Sequence, residues 1–212
     1  PHDPDCTYRN KGDQKVKGYS ANVTETCSDE SLNLITDINV QTSNTSDVNF
    51  VQPSIRATEE VTQQPVEKVY ADGAYQSPDN DAFCENIDMV FTGISGAEAR
   101  YIPEWINDEL MVTDSQTGEI LKAKMVKKTK ASTRDRWYIK TKDGIYYFDE
   151  KVIRTAELRR KMRGRSLEEL HKRNNVEANV FQLSHPLRNN KTKYRGLFKT
   201  QMWAVCRCFW IN

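Results

Sequence analysis

Apolar or small residues alternate with polar ones along "KVKGYSANVTETC" (15–27) and again along "LNLITDINVQT" (32–42). This period of two predicts a pair of strands, and the link Ser28-Asp29-Glu30 suggests a hairpin. "SNTSDVNF" then offers Ser46 or Asp47 as an N-cap for a helix reaching about Val61, with Pro53 either kinking it or marking its true start. "VEKVYA" (66–71) reads as a short strand of the buried type. Ser77-Pro78-Asp79 is a strong helix opening, with a capping serine, a first-turn proline and an acid against the dipole. That helix is expected to run to about Asn86, and "IDMVFTGISG" is the next strand. The opening "PHDPDCTYRNKGDQ" reads as irregular, so no strand is expected ahead of Lys15.

The order strand, strand, helix, strand, helix, strand predicts a mixed α/β fold, with a parallel crossover from the strand at 66–71 to that at 87–92. From Tyr101 to Ile153 the pattern changes. "ELMVTDSQTGEILKAKMV" and "RWYIKTKDGIYYFDEKVI", with turns at Gln116-Thr117-Gly118 and Lys142-Asp143-Gly144, read as antiparallel hairpins. From Thr155 the chain turns helical, with Gly164 as a break, and "YRGLFKTQMWAVCRCFWIN" is a last helix, amphipathic to fully buried.

Composition changes this picture mainly through charge. The 212 residues are 37% hydrophobic and 29% charged, with a mean hydropathy of −0.76. No run approaches a membrane span and none reads as a signal peptide. The net charge of +1 conceals an asymmetry: residues 1–120 hold 7 Lys/Arg against 22 Asp/Glu, and residues 121–212 hold 24 against 8. A basic half of this kind points to a polyanion, nucleic acid first, unless the two halves neutralise each other internally.

The cysteines, at 6, 27, 84, 206 and 208, lack zinc-knuckle spacing and suit free thiols in a reducing cytoplasm. The triplets at Asn22, Asn44 and Asn190 are read as chance rather than glycan acceptors. No phosphate-binding glycine loop and no nucleophile elbow is present. His171 lies in a highly charged helical segment and reads as solvated.

Two carboxylates stand out. Asp72 ends a parallel-type strand, where open α/β sheets place ligand-binding groups, and Gly73 lets a ligand approach. Alone, it reads more simply as a turn residue. In "HKRNNVEANVFQL", Arg173, Glu177, Val180, Phe181 and Ser184 share a helical stripe, so burial of Val180 and Phe181 would bring Glu177 towards the sheet. Alone, Arg173 and Glu177 read as an ordinary i,i+4 ion pair. Together with a basic tail, the two acids fit a site for hard cations and phosphoryl transfer on nucleic acid.

At these residues the chain resembles the DDE transposases of bacterial insertion sequences. Four segments carry the likeness. "KVKGYSANVTETC…LNLITDINVQTSNTSD" resembles the second and third strands with the Asp opening the first helix. "VEKVYADGAYQSPDN" resembles the strand bearing the second catalytic Asp, at Asp72, and "RNNVEANVFQL" the helix bearing the catalytic Glu, at Glu177. "NKTKYRGLFKTQMWAVCRCFWIN" resembles the family's tail. In the family's longer signature (Tyr, Arg, Glu, Lys), Arg173 and Glu177 keep their spacing, but Leu170 and Ser184 stand at the Tyr and Lys positions.

The resemblance implies a ribonuclease-H-like mixed sheet flanked by helices, with an antiparallel β-rich insertion before the C-terminal helices. Residues 1–100 would form the first part of the core, 101–154 the insertion and 155–212 the closing helices. The family's first catalytic Asp sits on the first strand. Asp3 and Asp5 are the only early candidates, and "HDPDCTY" reads as the loop after that strand, so the strand is expected upstream of Pro1.

The intact protein would then be a bacterial, cytoplasmic transposase that cuts and rejoins DNA. Asp72 and Glu177 would serve as catalytic and metal-holding residues for two Mg²⁺ (or Mn²⁺) ions, one activating water or a 3′-hydroxyl and the other stabilising the leaving 3′ oxygen. A homodimeric synaptic complex is expected, and no membrane partner. This chain alone, with two thirds of the triad, is expected to be inactive.

Arg173 would bind phosphate or steady Glu177. The stretches 122–136 and 159–173 would track DNA, through Lys127, Lys128, Lys130, Arg134 and Arg136 in the first and Arg173 in the second. Lys191, Lys193 and Arg195 would add contacts, and Trp137 and Tyr138 could stack on an unpaired base or simply pack a hairpin. The rival reading is a non-catalytic DNA-binding remnant or domesticated module of the same fold.

Overall fold

A computed structural model of the chain describes residues 3–11, 14–28, 32–94, 96–126, 135–188 and 191–212. It divides into two compact units, residues 1–92 with 167–212, and residues 93–166.

The first unit begins with a strand that the sequence reading did not expect. β1 (Thr7–Lys11) pairs antiparallel with the start of β2 (Gln14–Glu25), Thr7 opposite Gly18 and Lys11 opposite Gln14. Gly12 and Asp13, which stand between the two strands in the sequence, lie outside the described residues. The rest of β2 pairs on its other edge with β3 (Ile35–Thr42), antiparallel as expected from the alternation. The expected link at Ser28-Asp29-Glu30 lies largely outside the described residues.

A single 3₁₀ turn, Asp47–Phe50, leads into α1 (Val51–Thr62). Pro53 sits in its first turn, where the missing N–H costs nothing, so it marks the start rather than a kink. α1 buries Val51, Ser54, Ile55 and Thr58. β4 (Lys68–Ala71) and β5 (Asp88–Phe91) form a parallel pair joined through α2 (Pro78–Phe83), the crossover that the strand order required. Ser77 caps α2 by accepting from the Asn80 N–H, but the helix stops at Phe83, short of Asn86. β4 is half-exposed rather than buried, because its edge away from β5 has no strand beside it among the described residues.

At the chain's end lie α4 (Leu167–His171), α5 (Asn174–Ser184) and α6 (Leu197–Ile211). His171 is exposed, as expected. α5 turns its other face inward: Leu183 is buried against Ile38, Val40, Ala204 and Cys208, whereas Val180 and Phe181 are exposed. α6 is one-sided rather than fully buried. Thr200, Ala204 and Cys208 go inside at helical spacing, while Phe198, Met202, Phe209 and Trp210 face out.

The second unit is strand-rich. β6 (Tyr101–Ile106), β7 (Glu109–Asp114) and β8 (Ile120–Lys122) form one antiparallel sheet. Asn107 and Asp108, both at positive φ, make the tight turn between β6 and β7. β9 (Lys124–Met125), β10 (Arg136–Thr141) and β11 (Gly144–Asp149) form another. The expected strand through Ile153 ends at Asp149 instead, whose carboxylate accepts from the Val152 N–H and opens α3 (Glu150–Arg163). Gly164 ends α3, as expected. Tyr101, Leu110, Val112, Ile139, Phe148 and Ile153 form one core.

Asp114 is buried in this unit, and Arg100 meets both of its carboxylate oxygens at 2.7–3.2 Å. The guanidinium's hydrogen bonds hold Asp114 far below the usual carboxylate range, against the opposing pull of desolvation. A depressed folded pKa gives stability that is complete above the unfolded value, near 3.8, and is lost as the pH falls through the folded value. Arg100→Ala should therefore lower the unit's Tm by several degrees at pH 7. The gap between variant and parent should shrink below about pH 4. Paired thermal melts from pH 7 to pH 2 test this, and a gap constant with pH would refute it.

Candidate functional site

Asp72 follows β4 directly. Its carboxylate accepts from the Ala74 N–H at 3.1 Å and so opens the 3₁₀ turn Gly73–Tyr75. The simple reading of Asp72 as a turn residue is thus correct for one oxygen. The other faces Arg173, whose Nη2 lies 3.7 Å away, while Nη1 donates to Glu177 at 2.7 Å. One guanidinium therefore gathers two carboxylates that are far apart in sequence.

Arg173 lies immediately before α5 with its backbone already in the helical region, and Glu177 sits in the first turn, where the helix dipole favours an anion. Arg173 is the most covered of the three side chains at 27% exposure, against 43% for Asp72 and 58% for Glu177. Both acids thus stand at the surface with the cation beneath them. The i,i+4 ion pair is present, but it is half of a three-residue arrangement.

Beneath the acids runs a polar chain. The Tyr75 hydroxyl donates to Asn22 Oδ1 at 2.8 Å, Asn22 Nδ2 donates to Ser54 Oγ at 3.0 Å, and Ser54 Oγ donates to Asp37 Oδ2 at 2.8 Å. Burial raises the Tyr75 pKa, with Asp47 and Asp72 adding to the rise, so this hydroxyl stays a donor. Asp47 itself is held bidentately by Arg9 at 2.8–2.9 Å. Sequence reasoning missed Asn22, Tyr75 and Arg9 as parts of this site. No sequence signal marked Asn22, which takes the polar place between Ala21 and Val23 and yet is buried.

The early acids lie elsewhere. Asp3 accepts from the Tyr19 hydroxyl and the Gly196 N–H, and Asp5 from the Leu197 N–H, so both serve the start of α6. The Gly196 N–H is the largest influence lowering the Asp3 pKa.

As to the expected metal, Asp72 and Glu177 offer hard carboxylate oxygens of the right kind but too few for two ions. Among the described residues, no group of three or more His, Cys, Asp and Glu could hold a metal ion.

Of the expected DNA contacts, Lys127, Lys128, Lys130 and Arg134 lie outside the described residues. Arg136 stands over the Tyr147 ring at 5.5 Å. Along α3, Arg159 donates to the carbonyls of Gly96 and Ala97, Arg160 pairs with Glu104, and Arg163 pairs with Glu98. That part of the basic half is therefore met by local acids and carbonyls. Lys191, Lys193 and Arg195 line an open stretch of chain ahead of α6, and all three are exposed. Trp137 meets Trp105 edge-on at 5.4 Å and packs against the second unit's core, the hairpin-packing alternative. Among the described residues no disulfide joins the cysteines, and no helix is long and apolar enough to cross a membrane. No family model, curated protein or solved structure matches the chain.

Proposed function

We propose that the chain is the larger part of a DDE-type transposase, with Asp72 and Glu177 as two of its three catalytic carboxylates. The observation that carries this reading is the convergence of those two acids on Arg173, from a strand end and a later helix. A purely local role for each residue requires no such approach. The ribonuclease-H-like arrangement belongs to the proposal, and the coarser mixed α/β layout, with its parallel pair and flanking helices, supports it.

Strand cleavage and strand transfer on DNA would be the activity of the intact, cytoplasmic bacterial protein, working with Mg²⁺ or Mn²⁺ as a synaptic dimer. Lys191, Lys193 and Arg195 would supply phosphate contacts whose affinity falls steeply with salt. The bound ions would supply Lewis-acid chemistry, at a site that this chain's donors do not complete. Arg173 holds the two acids in place.

Residues 1–212 alone should leave supercoiled plasmid intact with either ion, while the protein extended by its natural upstream sequence should nick it. Nicking by 1–212 that is lost on Asp72→Asn would remove the claim that this stretch is insufficient. An inactive extended protein that still binds DNA would favour the non-catalytic module.

A further inference from the structure

The sheet stops holding the chain one residue before Asp72. The last bond of the β4–β5 pair runs from the Thr92 N–H to the Ala71 carbonyl at 2.9 Å. Asp72 itself only opens the turn Gly73–Tyr75. Arg173 Nη2 lies 3.7 Å from Asp72 Oδ2, beyond hydrogen-bond length, so it attracts that oxygen without fixing its direction. Whatever aims the carboxylate must act through the turn.

Tyr75, at the end of that turn, is tied at three points. Its N–H donates to the Asp72 carbonyl at 3.0 Å, its carbonyl accepts from Asn80 Nδ2 at 2.9 Å, and its hydroxyl donates to Asn22 Oδ1 at 2.8 Å. Asn80 is 2% exposed, and the same Nδ2 also reaches the Val48 carbonyl at 2.9 Å, in the 3₁₀ turn ahead of α1. One amide on α2 thus joins the Asp72 turn to the approach to α1.

The hydroxyl's bond has a fixed sense. Asp37, as a carboxylate, only accepts, so the Ser54 hydroxyl donates to it and accepts from Asn22 Nδ2. That leaves Asn22 Oδ1 facing Tyr75, with the Tyr75 hydroxyl as donor. A polar chain satisfied at every member is rigid, whereas a missing member leaves a costly orphan. Closing the turn requires none of this, because the Ala74 and Tyr75 N–H bonds to Asp72 already close it.

We propose that Tyr75, held by Asn22 and Asn80, is a positioning residue that aims the Asp72 carboxylate for the proposed DNA cleavage without itself touching substrate. The inference rests on the reading of Asp72 as a catalytic acid. The brace ties the turn to β2 and α2, so Asp72 keeps its direction although the sheet no longer holds it. Such precision matters, because a misplacement of about 1 Å costs roughly a hundredfold in rate.

Tyr75→Phe removes one oxygen and leaves the ring in place. In the intact protein it should lower kcat for divalent-dependent nicking by about ten- to a hundredfold, while KM for DNA stays within about twofold. In the Asn22→Ala background the same change should cost nothing further, since the hydroxyl has lost the partner through which it acts. An unchanged kcat with a lowered Tm would make the brace merely structural and overturn the proposal, as would a rise in KM alone. A loss that persists in full in the Asn22→Ala background would make Tyr75 a direct DNA contact and also overturn it.

A second measurement, on residues 1–212, does not depend on cleavage. Exchange of the Ala74 and Tyr75 amides, followed by NMR, should quicken at least about fivefold in Tyr75→Phe, with the β6 and β7 amides unchanged. Quickened exchange in a protein whose intact parent does not nick DNA would keep the brace and remove the catalytic reading. Nicking by the parent with unchanged exchange in the variant would do the reverse. Should Tyr75→Phe not fold, Asn22→Ala takes its place in both measurements, with the same outcomes.

Discussion

Phe148→Ala should destabilise the strand-rich unit by about 3–5 kcal/mol, the range for a large aromatic removed from a core. Phe148 is 3% exposed on β11 and sits opposite Trp137 in the register. Its neighbours come from both sheets and from α3, so no single element can move in to fill the space. Urea unfolding followed by tryptophan fluorescence should show a transition at a lower denaturant concentration, reported by Trp105 and Trp137. The helix-closed unit should keep its own midpoint, since its core residues Ile38, Val40, Leu183 and Ala204 are untouched. Ile145→Ala on the same strand is the control. Ile145 is half-exposed, and its loss should cost well under half as much. Equal losses from the two variants would mean that Phe148 does not anchor this core.

Legibility in the sequence followed the strength of local signals. Period-two alternation located β2, β3 and the hairpins at Glu109–Lys122 and Arg136–Asp149, because each has one face inside and turn residues at its ends. Ser77-Pro78 located α2 for a comparably local reason. β1 escaped because "TYRNK" is five residues of mostly polar character whose pairing depends on its partner, not on its own pattern. α5 was found, but its buried face was misassigned. Val180 and Phe181 carry much of its apolar surface, yet Leu183 is the residue that meets β3 beside α6. Which stripe of a short helix goes inside depends on what is already there, and hydrophobicity alone does not encode that.

The site was legible only in part for the same reason. Asp72 at a strand end and Arg173 four residues before Glu177 are local facts. Their meeting is a tertiary one, since Arg173 lies between α4 and α5 and is placed by the turn joining them. The buried chain Tyr75–Asn22–Ser54–Asp37 joins residues from four separate elements, and no spacing rule connects them.

Asp72→Asn and Glu177→Gln, made in the upstream-extended protein, should each reduce divalent-dependent DNA nicking about a thousandfold. Neither change disturbs the backbone around it. Asparagine and aspartate are equivalent as caps, so the amide oxygen introduced by Asp72→Asn would still accept from the Ala74 N–H and preserve the turn. Both acids are substantially exposed, and ion pairs of this kind contribute at most about 1 kcal/mol, so the fold should lose little. A residue that stabilises charge in phosphoryl transfer is worth several kcal/mol there. At about 1.4 kcal/mol for each factor of ten, that amounts to about three decades in rate. The two readings therefore separate cleanly: a structural pair predicts a small drop in Tm and unchanged nicking, and a catalytic pair predicts an unchanged Tm and lost nicking. Arg173→Lys adds a further discrimination. It keeps the charge but loses the fork that reaches Asp72 and Glu177 together. If Arg173 positions both acids, nicking should fall in the Lys variant while salt-dependent DNA binding holds. If Arg173 serves only as a phosphate contact, Lys should restore both.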